Sequence, residues 1–116
     1  MKLLIVENDR RVRKLIASVV GDLSDELYEC ADGRQAQALY AEHLPDWVLM
    51  DLMMPEMDGI TATRQIKSVF PDARIAIVTS YESADMRETA RKAGATVYVL
   101  KENLLVLRGI IKNHSN

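Results

Sequence analysis

Four short apolar runs in this chain end on residues able to do chemistry. Residues 3–6 lead into Glu7 and Asn8, residues 47–50 into Asp51, residues 74–78 into Thr79, and residues 96–100 into Lys101. Two carboxylates and an amide oxygen make a hard-oxygen donor set suited to Mg²⁺ that keeps some of its waters. A lysine and a hydroxyl opposite such a metal can neutralise and orient phosphoryl oxygens. An ionised aspartate beside the metal can then accept a phosphoryl group as an acyl phosphate. Asp51 is the centre of this set. It opens the stretch 51–59, in which Pro55 and Gly59 break regular structure and Asp58 is placed to cap a following helix.

These residues converge only if the runs before them are neighbouring parallel strands, and the chain supports that. Residues 3–6 and 47–50 are continuously apolar, as expected of strands covered on both faces. Residues 27–31 alternate like a more exposed strand, and residues 74–78 and 96–100 complete five. Helical spacing lies between them. Val12, Leu15, Ile16, Val19 and Val20 form one apolar face, with Asp9 as its cap, and Ala36, Leu39 and Tyr40 a second. Ile60, Thr63, Ile66, Val69 and Phe70 form a third, and Leu104, Leu107, Ile110 and Ile111 the last. The fourth helix, residues 84–93, offers only Met86, Ala90 and Ala93, so it is expected to pack weakly and shift easily, with Gly94 ending it. Strict alternation of strand and helix predicts an α/β fold. Right-handed crossovers then favour a doubly wound (βα)5 parallel sheet of flavodoxin-like order 2-1-3-4-5, the most apolar strands central. The carboxyl ends of its strands share one edge, where ligands of such sheets bind.

Composition narrows the function classes. The chain has 116 residues, 48% of them hydrophobic, which suits one domain with a substantial core. A net charge of −2 gives no electrostatic case for nucleic-acid binding. The single cysteine, Cys30, excludes an internal disulfide, fits a cytoplasmic setting and reads as a small core residue. No apolar run approaches membrane-spanning length. Arg10, Arg11, Arg13 and Lys14 give the first helix a basic face, expected to be solvated. One domain is expected over residues 1–113, with 114–116 as a frayed end.

The motifs Leu4-Ile5-Val6-Glu7-Asn8, Asp51 with Met54-Pro55 and Asp58-Gly59, Val78-Thr79-Ser80, and Gly94-Ala95 followed by Tyr98-Val99-Leu100-Lys101 resemble those of two-component response-regulator receiver domains over essentially the whole chain. The resemblance implies a signalling switch rather than an enzyme acting on a separate substrate. A sensor histidine kinase would supply the phosphoryl group to Asp51. Glu7, Asn8, Asp51 and the Met53 carbonyl would hold Mg²⁺, and Thr79 and Lys101 would bind the phosphoryl oxygens. Tyr98 would turn inward as Thr79 moves, changing a surface of the fourth helix, fifth strand and fifth helix that could also support a homodimer.

Two positions depart from the family. Asn8 stands where aspartate is usual, which leaves two metal-facing charges in place of three and predicts weaker Mg²⁺ binding and slower phosphotransfer. It also motivates an alternative, a degenerate receiver that acts unphosphorylated as a protein-interaction module. Glu102 follows Lys101 where many members have proline. That resembles the branch often joined to a helix-turn-helix DNA-binding output domain, which these residues do not contain. Two other classes fit poorly. A phosphatase forming an aspartyl phosphate resembles others in carrying a second aspartate two residues after the first, where this chain has Met53. A flavodoxin wants a hydroxyl- and glycine-rich phosphate cradle after the first strand, and this loop is acidic and basic.

Overall fold

Four apolar segments and one alternating segment form strands, in lengths too short for helices. In the computed structural model, which describes residues 1–114, they are β1 (Lys2–Val6), β2 (Glu26–Cys30), β3 (Trp47–Met50), β4 (Ile75–Thr79) and β5 (Val97–Leu100). All pair in parallel, in the order β2-β1-β3-β4-β5. The helices between them are α1 (Arg10–Val20), α2 (Gly33–His43), α3 (Gly59–Val69), α4 (Ala84–Ala93) and α5 (Leu104–Asn113).

The pleat divides each central strand between two cores. Leu4, Val6, Val48, Met50, Ile75 and Ile77 pack with Ala36, Tyr40, Ile66, Ala90 and Ala93 of α2, α3 and α4. Leu3, Ile5, Trp47, Leu49, Ala76 and Val78 pack with Ile16 and Val20 of α1 and Leu107 and Ile111 of α5. Covered on both faces, β3 and β4 are buried throughout, while β2 at the sheet edge is half open.

The helix starts follow their caps. Asp9 accepts from the Arg11 and Val12 amides, Asp58 from that of Thr61, and Ser83 from that of Met86. Gly94 ends α4 at φ 108°, a left-handed conformation that costs glycine nothing.

Two inner-face expectations fail. Leu15 is 53% exposed and Val69 56% exposed, since each lies at the margin of its apolar stripe and the sheet covers only the middle. His114, expected to begin a frayed end, follows α5 with its amide bonded to the Ile111 carbonyl, its ring edge-on to Trp47 and its carbonyl accepting from Arg74. Residues 115 and 116 lie outside the described residues, and so does that expectation for them. Among the described residues, no helix is long and apolar enough to cross a membrane.

Candidate functional site

The sheet ladder places the two carboxylates before any side-chain interaction acts. The Glu7 amide donates to the Cys30 carbonyl at 3.1 Å, and the Asp51 amide to the Val6 carbonyl at 2.8 Å. Each residue is thus the last rung of its strand, and both side chains are buried. The loop after Asp51 is drawn back over it. Gly59 donates its amide to the Leu52 carbonyl at 2.9 Å, and a Cβ at Gly59 would lie 2.0 Å from the Asp51 carbonyl oxygen. Sequence reasoning marked Gly59 only as a breaker of regular structure, whereas its missing side chain is what lets α3 start against the backbone of Asp51.

Lys101 enters from the far edge, out of the 3₁₀ turn Lys101–Asn103 that follows β5. Its Nζ lies 3.1 Å from Glu7 Oε2 and 3.3 Å from Asp51 Oδ1, and donates to Glu7 Oε1 at 3.4 Å. One ammonium therefore serves two buried carboxylates. Burial first, and the Asp51 charge second, push the Glu7 carboxyl above its ordinary pKa, against the pull of the Asp9 amide and Lys101. Glu7 Oε2 is buried with no hydrogen bond, because Lys101 approaches it outside bonding geometry.

An uncompensated charge and an unsatisfied carboxylate oxygen fit a hard cation such as Mg²⁺. Asn8 is exposed beside Glu7, and Met53 is exposed two residues beyond Asp51. Asp9 is committed to capping α1. Among the described residues, no group of three or more His, Cys, Asp or Glu side chains is arranged to hold a metal.

Thr79 ends β4, fully buried, and its Oγ1 accepts from the Tyr81 amide at 3.2 Å. Tyr98 on β5 is half-buried, and its hydroxyl donates to the Tyr81 carbonyl. Both expected switch residues are thus anchored on one residue, Tyr81, which sequence reasoning missed. It missed Arg87 as well: its guanidinium lies 4.7 Å from the centre of the Tyr98 ring and pairs with Glu82 through two bonds of 2.7 and 2.8 Å. A contact between an exposed loop and an exposed helix face gives no signal for either in the sequence.

Arg13 leaves the solvated basic face expected of α1. It donates to the Glu7 carbonyl at 2.9 Å and pairs with Glu29 at 3.2 Å, bracing the end of β1, whereas Arg10, Arg11 and Lys14 are exposed. Cys30 is buried in the core as expected, and burial pushes its thiol up to about 11, so it is no nucleophile at neutral pH.

Comparisons with known proteins agree with this geometry. A family model described as the response regulator receiver domain matches residues 3–110. The transcriptional regulatory protein YhcZ of Bacillus subtilis (strain 168) is 39% identical over 104 residues, 88% of this chain and 49% of its own length. The chain therefore spans about half the length of that relative. The chemotaxis protein CheY of the same organism is 38% identical over 101 residues, 86% of this chain and 84% of its own length. Among solved structures, the BeF3-activated N-terminal receiver domain of Klebsiella pneumoniae RstA superimposes with a TM-score of 0.90 at 30% identity, covering 98% of this chain and 97% of that one. With its sheet order, its buried acidic edge and these matches, the chain belongs to the response-regulator receiver domain family.

Proposed function

We propose that this receiver accepts a phosphoryl group on Asp51 from the phosphohistidine of a sensor histidine kinase and passes the change to its α4-β5-α5 surface. The carrying observation is the burial of Asp51 and Glu7 around the single cation Lys101. In the transfer, an Asp51 carboxylate oxygen bonds to phosphorus as the phosphorus–nitrogen bond breaks, and the imidazole leaves with the electron pair. Glu7, Asn8, Asp51 and the Met53 carbonyl would hold Mg²⁺, whose positive charge would offset the negative charge of the phosphoryl oxygens. Lys101 already reaches Asp51, so its ammonium is in range of a group attached there. Among the described residues Thr79 Oγ1 acts as an acceptor, from the Tyr81 amide, and its hydroxyl hydrogen would be available to a phosphoryl oxygen.

The switch follows from the shared anchor. Drawing Thr79 toward Asp51 pulls on its bond to the Tyr81 amide, and the Tyr81 carbonyl holds the Tyr98 hydroxyl. A phosphoryl group therefore biases Tyr98 and the α4-β5-α5 face together, as a shift between two populations. That face could support a homodimer, and a DNA-binding output domain would belong to a longer regulator; YhcZ, described as a transcriptional regulatory protein, is about twice as long as the segment matched here. A cytoplasmic setting fits both a kinase partner and a reduced Cys30.

The test is intact mass after incubation with Mg²⁺ and a small phosphodonor, beside Asp51→Ala. One added phosphoryl group on the native chain alone supports the switch. A second reading, the degenerate receiver acting unphosphorylated, is favoured by Asn8, which leaves the site two carboxylates. It gains if neither a small donor at high Mg²⁺ nor a histidine kinase produces the adduct.

A further inference from the structure

Arg87 makes three contacts that no other residue of α4 makes. Its Nε and Nη2 bond both oxygens of Glu82 at 2.7 and 2.8 Å, its guanidinium covers the Tyr98 ring at 4.7 Å, and its Nη1 reaches the Tyr98 carbonyl at 3.5 Å, the far limit of a hydrogen bond. These partners sit on different elements. Glu82 is in the loop after β4, next to Tyr81; Arg87 is in the second turn of α4; Tyr98 is on β5. The Tyr98 hydroxyl returns to the Tyr81 carbonyl and closes a ring of contacts through loop, helix and strand.

The neighbouring pair provides the control. Arg91 also bonds Glu88 through two contacts, at 2.9 and 2.6 Å, yet both residues lie on α4, so that pair ties the helix only to itself. Exposed ion pairs add little stability. What Glu82 gives Arg87 is direction: the bidentate bond fixes the plane of the guanidinium, and a fixed plane is what stacking on an aromatic ring requires. The rest of α4 supplies little restraint, since it buries only Ala90 and Ala93.

Resting on the reading of Tyr98 as the switch residue, we propose that Arg87 is its positioning residue, with Glu82 and Arg87 forming a latch that holds the ring against α4 and joins the Thr79 loop to the output face. Release of the latch frees the ring to leave its half-buried position without any change at Asp51. A partner that competes for Glu82 or Arg87 would move Tyr98 from outside, so the face that reports the signal could also receive one.

The test uses the unphosphorylated chain without metal, so it does not depend on whether Asp51 is phosphorylated. Fluorotyrosine is incorporated at the four tyrosines, and the Tyr98 ¹⁹F signal is assigned with Tyr98→Phe. In Arg87→Met the signal should move toward that of free fluorotyrosine, the ratio of docked to free ring falling by a factor of about three, the size expected from losing an exposed cation–π contact. Arg87→Lys, which keeps the charge but not the fork, should recover part of that shift, and Arg91→Met should leave the signal in place. An unmoved Tyr98 signal in Arg87→Met, or an equal movement in Arg91→Met, overturns the latch. Should Arg87→Met fail to fold, Glu82→Gln carries the same expectation in the same direction. Adduct mass on the same samples reports separately on Asp51, and its absence there leaves the ring measurement standing.

Discussion

Glu7, Glu82 and Glu88 of this receiver each sit beside a cation, and the same pairing has opposite electrostatic outcomes. Glu7 is buried, and its carboxyl is pushed above the ordinary range by burial and then by Asp51, although Lys101 is 3.1 Å away. Glu82 and Glu88 are exposed on the α4 side, and hydrogen bonds from Arg87 and Arg91 hold their carboxyls below it. In the buried case desolvation outweighs the attraction of one shared ammonium, and in the exposed cases there is little desolvation to outweigh. The sheet edge thus keeps an unmet demand for positive charge, which a functional site can use, while the α4 face is locally neutralised and bound mainly by geometry.

The sharpest way to break this contrast is to remove the shared cation. Lys101→Met leaves two buried carboxylates facing each other and should destabilise the domain by about 3 kcal/mol at neutral pH, the low end for breaking a buried pair because Lys101 itself is part-exposed. The loss should shrink as pH falls. A carboxyl whose folded pKa is raised binds its proton more tightly in the folded state, so its cost is full above the folded pKa and gone below the ordinary value of 4.5. Urea denaturation of both proteins across that range measures it. A loss independent of pH would mean that Lys101 acts through packing rather than charge.

Glu7→Gln probes the same charge from the other side. Removing the buried charge while keeping the shape should stabilise the metal-free chain by about 2 kcal/mol at neutral pH, within the range found when buried ions are replaced. By the same sign rule, the gain should vanish below pH 4.5. Thermal melts at the two pH values decide it, and a destabilised Glu7→Gln at neutral pH would show that Lys101 already satisfies the site.

How much of this could be read from the sequence depends on which force places a residue. Strand identity and order were legible because continuous apolar runs have few alternatives in a parallel sheet, and the carboxyl-end residues followed from that order. Cap residues Asp9 and Asp58 were legible because capping is local. Stripe margins were not: Leu15 and Val69 share the spacing of buried neighbours, and only tertiary coverage separates them. Arg13 looked like one of four basic side chains until the end of β1 gave it the Glu7 carbonyl. The Lys101–Glu7 contact spans 94 positions, and its distances depend on side-chain reach across the sheet edge. The need for Gly59 became visible only once α3 was seen to start against Asp51.

Asn8→Asp sharpens the contrast by adding to the charge demand at the sheet edge. A third acid should tighten Mg²⁺ binding by about tenfold, because affinity for hard cations grows with ligand charge. It should also lower metal-free stability, more so at low ionic strength, through repulsion with Glu7 and Asp51. Calorimetric Mg²⁺ titration of the two proteins reads the first effect and melts without metal the second. Equal affinities would mean that the exposed Asn8 side chain stays outside the coordination sphere.

The smallest expected effect is the most specific test of the α4 side. Arg91→Ala removes a two-point ion pair as well formed as that of Glu82 and Arg87, yet it should leave the urea midpoint unchanged within repeat scatter. Its partner Glu88 remains solvated when left alone, so no buried charge is stranded, in contrast to Lys101→Met. The Glu88 carboxyl should titrate closer to its ordinary value in this variant, because the Arg91 hydrogen bond is the leading cause of its depression. NMR titration of that carboxyl beside the unchanged midpoint would separate two quantities that are often equated: a pairing strong enough to move a pKa, and a pairing that holds the fold together. If the midpoint falls as the carboxyl titrates upward, the exposed pairs of α4 carry fold stability, and the difference between the two regions is one of degree.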